Sequence, residues 1–305
     1  LIAIALLLLP SGLFLHLGSF AAGSITFSPP VNLSSDSNQA HYPFVAAQGS
    51  NVYVAWTEES RGIYFRASHD NGTTWIPPTS QSAMKLSSAG GAAAYPVVSA
   101  NGSNIYVVWA QSQSGKNETI FFASSSNNGS SFKTAVVLSN QKFNSITPVI
   151  AQYGNNVYVA WNENYQSSVS FNGQTYTYTD KSIFVTASVD NGSHWTTPYN
   201  ASISVDALYP QTLGDEPQLA AWGSNAYLEF DAGGAPQEEV YIETSANQGA
   251  SWSAPTTLMF INATGALDRE PWIAAAGNNV YVTWNSNSGI GSNNPGSYNA
   301  YMSVS

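Results

Sequence analysis

Five copies of one short motif recur along the chain and constrain its fold more than any other feature. Each copy begins with Asn, continues with alternating apolar residues that include a Tyr, and ends in an aromatic residue. The copies are Asn51–Trp56, Asn104–Trp109, Asn156–Trp161, Asn225–Phe230 and Asn279–Trp284. Self-similarity at regular intervals is typical of repeat architectures, in which each repeat supplies one structural unit.

Each copy lies between two further apolar runs. A Pro opens the run before it, at Pro43, Pro96, Pro148, Pro217 and Pro271. The runs after it are 63–67, 120–124, 183–187, 240–244 and 300–304. These runs are short, rich in β-branched and aromatic residues, and separated by Gly and Asn, which predicts antiparallel strands joined by tight turns. No helical period follows residue 25.

A second motif, S-x-D/N-x-G-x-x-W/F, follows four of the third runs. Its residues are Ser68, Asp70, Gly72 and Trp75; Asn127, Gly129 and Phe132 after Ser125; Ser188, Asp190, Gly192 and Trp195; and Asn247, Gly249 and Trp252 after Ser245. This motif resembles the Asp box, or bacterial neuraminidase repeat, of sialidase-like β-propellers, and the resemblance extends over residues 25–305. In that family the box lies between the third and fourth strands, on the face opposite the ligand. The resemblance therefore implies a role for these residues in stability rather than chemistry.

The fold class that we predict is all-β, a five-bladed β-propeller of four-stranded antiparallel blades. Fourth strands are expected directly after each box aromatic residue. The fifth repeat ends before its box, whereas residues 25–34 resemble the missing fourth strand. We therefore expect the N-terminal strand to close blade five, because propellers hide their sheet edges. The alternative is a sixth blade outside the given chain, since sialidases have six.

The first residues predict export. Leu1–Leu17 is apolar and uncharged, and small residues follow. The segment fits a signal peptide, an uncleaved membrane anchor, or a helix that packs into a filament core. We divide the chain into a leader helix, 1–23, and a propeller, 24–305.

Composition narrows the partners. With 8 Lys+Arg against 18 Asp+Glu, the net charge of −10 disfavours nucleic acid. The absence of cysteine excludes disulfides and thiol catalysis. Glycosylation sequons, which chance could also produce in an Asn-rich and Ser-rich chain, occur at Asn32, Asn71, Asn101, Asn117, Asn128, Asn191, Asn200 and Asn262.

Ligands of propellers bind where the inner strands converge. The loops that enter the first strands and leave the second strands supply the candidate ligand-binding residues: His41, Tyr42, Glu58, Arg61, Tyr95, Glu163, Asp215, Glu216, Asp231, Asp268, Arg269 and Glu270. The acids before Pro217 and Pro271 occupy equivalent positions in adjacent blades. They could bind a hard cation such as Ca²⁺, act as acid and base in sugar hydrolysis, or simply face solvent. No cofactor is otherwise required.

An insertion at 165–181 contains Asn172-Gly173 and predicts a β-hairpin. It should project from the ligand face, where it could wall a binding groove, contact a neighbouring molecule or only shield the ring.

Activity is the remaining question. A sialidase, by the family resemblance, needs three arginines at its centre. This chain has only Arg61, Arg66 and Arg269, and Arg66 lies in an outer strand. We therefore favour a non-catalytic surface propeller that binds glycans or surface proteins, or self-associates through its N-terminal helix. The alternative is a glycoside hydrolase that uses central carboxylates.

Overall fold

The computed structural model describes residues 27–88, 91–112, 116–171, 173–202, 215–234, 237–258, 268–287 and 298–305. This part of the chain is all-β and forms five antiparallel sheets, four with four strands and one with three. The predicted leader helix at 1–23 lies outside the described residues. Among those residues, no helix is long and apolar enough to cross a membrane.

The strands follow the repeat. First strands are β1 (Ala40–Gln48), β5 (Ala93–Asn101), β9 (Asn144–Tyr153), β13 (Asp215–Trp222) and β17 (Asp268–Ala276). Second strands are β2 (Asn51–Glu58), β6 (Asn104–Ser112), β10 (Asn156–Phe171), β14 (Asn225–Gly234) and β18 (Asn279–Ser286). Third strands are β3 (Gly62–Ser68), β7 (Glu118–Ser125), β11 (Gln174–Ser188), β15 (Gln237–Ser245) and β19 (Asn299–Val304). Fourth strands are β4 (Met84–Lys85), β8 (Val136–Val137), β12 (Tyr199–Asn200) and β16 (Thr256–Thr257).

Within each sheet the strands pair in chain order, which confirms the predicted antiparallel sheets. Successive first strands also pack on one another, β1 on β5, β5 on β9, β9 on β13 and β13 on β17. The sheets are therefore the blades of a β-propeller whose first strands are innermost. We number them blade one (β1–β4) to blade five (β17–β19).

The seams between blades hold the core. One face of each blade packs against the face of the next blade that carries the motif's terminal aromatic residue. At the first seam, Tyr53 and Phe65 of blade one share a buried cluster with Trp109 of blade two. Trp109 has no exposed surface and stacks on Phe121. In blades two to four the alternating pattern of each strand thus buries both faces, because each of these blades lies between two others.

The terminal Trp also binds an acid or amide two residues further along its strand. The indole NH groups of Trp56, Trp109 and Trp161 donate to Glu58, Gln111 and Glu163, at 3.2, 3.1 and 3.4 Å. Residues two apart on a strand lie on the same face, which places each pair side by side. All three acceptors are buried, at 1, 0 and 3% exposure. Their first role is therefore to satisfy a buried indole NH.

The S-x-D/N-x-G turns are built from their own side chains. Ser188 Oγ donates to Asp190 Oδ1 at 2.8 Å and accepts from the NH of Gly192, and Asp190 accepts from the NH of His194. The turn glycines have positive φ and lie against the preceding blade. A Cβ on Gly192 would be 2.3 Å from Phe122, whereas one on Gly72, which has no preceding blade, would meet only its own Trp75 at 3.8 Å. These contacts are structural, but membership of the Asp-box family stays a prediction.

One expectation about strand positions is wrong. Fourth strands do not begin at the box aromatic residue: β8, β12 and β16 begin four positions after it and β4 nine positions after Trp75. The residue directly after the aromatic makes one isolated backbone contact with the third strand, as Ile76 does with Ala67. Closure of blade five by residues 25–34 stays a prediction. Among the described residues the fifth sheet has three strands and Phe27–Leu33 carries none, and the Leu33 carbonyl accepts from Arg66 of blade one.

The predicted hairpin is present. Strands β10 and β11 pair as far as Phe171 and Gln174, and Gly173 has a φ of 75°. The hairpin extends beyond the pairing of Asn164 with Asn144, the first residue of β9. It therefore projects from the end of the blade at which the inner strands begin.

Candidate functional site

One backbone irregularity recurs at the start of all five inner strands. Tyr42, Tyr95, Thr147, Glu216 and Glu270 each precede a proline, and each has a left-handed φ, of 51, 56, 47, 49 and 54°. The strand pairing is interrupted by a β-bulge at every one of them. Left-handed backbone costs about 1–3 kcal/mol for such residues and is concentrated at functional sites. The bulges re-aim these five side chains away from the regular alternation of the strand.

Four of the five re-aimed side chains meet at a cavity of about 420 Å³ between the inner strands. Tyr95, Thr147, Glu216 and Glu270 line it, as do residues that follow the prolines. These additional lining residues are Val149, Gln218 and Trp272. Its volume is within the ~300–1,000 Å³ that is usual for small-molecule sites.

Two carboxylates therefore face one cavity, from adjacent blades. The Glu270 carboxylate is held by Asn285, whose Nδ2 donates to Oε2 at 2.6 Å. Asn285 follows the terminal Trp284 of the motif, so the end of β18 supplies the second residue of this pair.

Aromatic surface completes the cavity. The rings of Tyr42 and Tyr95 lie 4.6 Å apart, and their hydrogen bond is the largest cause of the raised pKa of Tyr95. Trp272 is 66% exposed, unusual for so large an apolar side chain. Exposed aromatic faces beside carboxylates suit a ligand with alternating apolar and hydroxyl surfaces.

Several predicted site residues lie elsewhere. Glu163 is buried at its Trp161 bond, and Asp231 and Asp268 are 3 and 2% exposed within the blade interior. Burial raises the pKa of Glu163 and of Asp268. Glu58 and Arg61 lie at a different cavity, in blade one. His41 is exposed beside Tyr42, and of Asp215 only the backbone is described.

The three arginines do not form a central cluster among the described residues. Arg269 is engaged by Glu238, Arg61 lies 3.6 Å from Asp36, and Arg66 donates to the carbonyls of Leu33, Pro77, Pro78 and Gln81. None is among the residues that line the cavity. The cavity thus presents negative charge and has no arginine that could bind the carboxylate of an anionic sugar.

Two buried acids were missed by the sequence analysis. Glu229 and Glu243 have no exposed surface. Burial raises the pKa of Glu229 to about 9, with a smaller contribution from Asp231, and raises the pKa of Glu243 to about 8. Glu229 occupies the seam position at which the other repeats have Ala55, Val108, Ala160 and Thr283. The only sequence signal was this departure from the repeat.

Several asparagines of the glycosylation sequons make side-chain hydrogen bonds within the protein. Asn101 and Asn117 use their side-chain NH₂ groups on the Gly154 and Lys142 carbonyls, and Asn191 accepts from the Tyr106 hydroxyl. Asn262 lies outside the described residues.

Within the described ranges, no group of three or more His, Asp or Glu side chains could hold a metal ion. The Ca²⁺ site stays a prediction.

No protein-family description and no curated protein matches the chain. Solved structures do. The GH93 α-L-arabinofuranosidase of Fusarium graminearum in complex with arabinobiose is similar with a TM-score of 0.54 at 12% identity, over 88% of this chain and 83% of that one. A mutant of the arabinofuranosidase Arb93A from the same organism, bound to an iminosugar inhibitor, gives 0.52 at 11%, over 86% and 80%. A protein of unknown function from Dyadobacter fermentans gives 0.53 at 11%, over 83% and 76%.

At this identity the likeness concerns the fold. It nevertheless corrects the functional preference drawn from the sequence. The non-catalytic surface propeller is wrong, because the structures that share this fold include glycoside hydrolases and because the missing arginines argue only against a sialidase. The expectation that the ligand is a glycan is consistent with the similar structure that contains arabinobiose. The expectations of binding to surface proteins and of self-association receive no support from the comparisons.

Proposed function

We propose that the protein is a glycoside hydrolase whose acid and base are Glu216 and Glu270. The observation that carries this proposal is the strained, five-fold set of pre-proline bulges, which directs both carboxylates into one aromatic cavity. Glycosidases act through two carboxyl groups on either side of the scissile bond, one protonating the leaving oxygen and the other acting as nucleophile or base.

The surroundings support a neutral sugar as substrate. Trp272 and Tyr95 offer apolar ring faces, Thr147 and Gln218 offer hydrogen-bonding groups, and Asn285 orients Glu270. No arginine lines the cavity in the described structure, so a carboxylate-bearing or sulfated sugar would meet uncompensated negative charge. We take α-L-arabinofuranosides as the first substrates to test, by analogy with the structures of the same fold.

The test is hydrolysis of 4-nitrophenyl α-L-arabinofuranoside, linear arabinan and a panel of neutral 4-nitrophenyl glycosides. Glu216→Gln and Glu270→Gln are each expected to lower kcat at least about 10³-fold, as loss of an essential carboxylate does. Glu59→Gln, an exposed acid outside the cavity, is the matched control. Turnover that survives both cavity substitutions would refute the assignment.

We also propose export, on the strength of the uncharged segment Leu1–Leu17. N-terminal sequencing and particle sizing of the protein isolated from its native envelope test this. A chain beginning near Gly23 would identify a cleaved signal peptide, and one beginning at Leu1 in a membrane or filament fraction would identify a retained helix.

A further inference from the structure

A second cavity of the protein lies at blade one, on the face of this blade that is turned away from blade two. Met84 of β4 follows the box aromatic Trp75 by nine positions, whereas the corresponding interval is four in blades two to four. The inserted residues and the segment that precedes β1 cover the Trp56 face of the blade. Arg66 fixes this cover, since its guanidinium donates to backbone carbonyls on both segments. Beneath the cover is a polar cavity of about 220 Å³.

The cavity wall contains one carboxylate with an unused oxygen. Glu58 is 1% exposed, and its Oε1 accepts from the Trp56 indole. Its other oxygen, Oε2, has no N–H or hydroxyl donor; the Asp36 carboxyl group interacts with Glu58, and Arg61 is 3.9 Å from Oε2. A buried carboxylate oxygen without a donor costs about 1–3 kcal/mol or more, so its persistence calls for an explanation.

The equivalent residues of blades two and three each bind a serine as well as the indole. Gln111 accepts from Trp109 through Oε1 and donates through Nε2 to the Ser88 hydroxyl at 2.9 Å. Glu163 accepts from both the Trp161 indole and the Ser145 hydroxyl through the same oxygen, Oε2. The indole bond is thus common to the three repeats, whereas Glu58 is the one of the three for which the structure shows no serine bond and which lines a cavity.

The chemistry around Oε2 selects a ligand class. Asp36 and Glu58 disfavour an anion, and the Arg61 guanidinium, 3.6 Å from Asp36 and 3.9 Å from Glu58, already serves as their cation. Hydroxyl-bearing residues such as Thr79, Ser80 and Ser82 supply further donors and acceptors. The Tyr64 ring, stacked on Trp56, forms part of the wall. A neutral molecule with many hydroxyl groups satisfies all of these partners at once.

We propose that this cavity is a binding site for one neutral sugar unit, with a sugar hydroxyl donating to Glu58 Oε2. The cavity is smaller than the ~300–1,000 Å³ of sites for larger ligands, which limits it to a monosaccharide or the end of a chain. The site is separate from the cavity that holds Glu216 and Glu270, and it does not depend on the proposed hydrolysis.

The experiment compares three sugars that share one pyranose ring but carry different charges: neutral D-glucose, anionic D-glucuronate and cationic D-glucosamine. Binding to the full chain is measured by isothermal titration and by saturation-transfer NMR, at sugar concentrations up to about 100 mM to reach affinities in the millimolar range. The protein carries Trp272→Ala so that binding in the central cavity is weakened.

Glu58→Gln is the decisive variant, because Gln111 shows that the repeat accommodates Gln at this position. It keeps an acceptor for Trp56 but replaces the free oxygen with an NH₂ group. We expect D-glucose binding to weaken at least about tenfold. Glu163→Gln, the same change in blade three, should leave binding unaltered.

The proposal is overturned if D-glucose does not bind, if Glu58→Gln leaves its affinity unchanged, or if Glu163→Gln weakens it equally. Tighter binding of D-glucosamine or D-glucuronate would overturn the assignment to a neutral ligand. Hydrolysis by the wild-type central cavity is assayed separately and is unaffected by any of these outcomes.

Discussion

Asn285 Nδ2 lies 2.6 Å from Glu270 Oε2, so the last residues of one strand orient the carboxylate that begins the neighbouring strand. Removing the amide in Asn285→Ala should let the carboxylate rotate away from its productive position. We expect kcat/KM on the best arabinoside to fall about tenfold. Asn279→Ala, at the opposite end of the same strand, serves as the control. Equal activity of the two variants would show that Asn285 has no positioning role.

Trp272 should contribute to binding rather than to chemistry. Its 66% exposed ring lines the cavity, and Trp272→Ala is expected to raise KM about tenfold with little change in kcat, which is the signature of lost uniform binding. Trp222 is 40% exposed at the far end of β13. Trp222→Ala should therefore leave KM unchanged, and a loss of kcat in Trp272→Ala would point to a different role.

Glu229 should make stability fall as the pH rises. Its folded-state pKa, about 9, exceeds the ordinary value of 4.5, because burial disfavours the charged form. The folded state therefore holds a proton that the unfolded state loses above about pH 4.5, so its contribution is intact below that pH and is lost as pH approaches 9.

Glu229→Gln removes the free-energy cost of keeping this carboxyl group protonated in the folded protein above pH 4.5. Relative to the wild type, we expect a gain in the free energy of unfolding of about 4 kcal/mol at pH 7.5 and little gain at pH 4.5, from about 1.4 kcal/mol for each pH unit between the unfolded-state pKa and the pH. Urea unfolding at both pH values measures the difference, with Glu59→Gln as the control. A gain that is the same at both pH values would contradict ionisation of Glu229 as its cause.

The turn glycines provide a matched pair for the seam contact. Gly192 and Gly72 have nearly the same φ, 80° and 83°, so an alanine at either position suffers the same backbone strain. Only at position 192 would the new methyl group overlap with Phe122 of the preceding blade. We expect Gly192→Ala to destabilise the protein by about 1–3 kcal/mol more than Gly72→Ala in thermal or urea unfolding. Equal losses would mean that the Phe122 side chain can move aside without a measurable loss in the free energy of unfolding.

Arg66 should be a main support of blade one. Arg66→Met fills similar space but leaves the carbonyls of Leu33, Pro78 and Gln81 without their donor. We expect a loss of about 3 kcal/mol in the free energy of unfolding. Arg61→Met removes an exposed guanidinium and should cost less than about 1 kcal/mol. A small effect at Arg66 would show that the inserted segment does not depend on it.

Much of this protein follows from its sequence alone. Alternating apolar residues with Gly and Asn turns determine short antiparallel strands, because side chains alternate between the two faces of a sheet. The recurrence of these strands in five repeats predicts the blades, the hairpin after Trp161 and the entering loops that hold Glu216 and Glu270.

Only the tertiary structure separated the roles of residues that look alike in the sequence. Glu58, Glu163 and Glu270 all stand at strand ends on the same side of the repeat. A bulge at Glu270, whose own φ is left-handed, aims this side chain into the central cavity, while Glu58 and Glu163 are buried beside a Trp, Glu58 at the cavity of blade one and Glu163 in a seam. The burial of Glu229 and the cover of blade one could not be predicted from the sequence either. Burial, bulge geometry and the packing of one blade on the next depend on contacts between residues far apart in the chain, and a local pattern does not contain them.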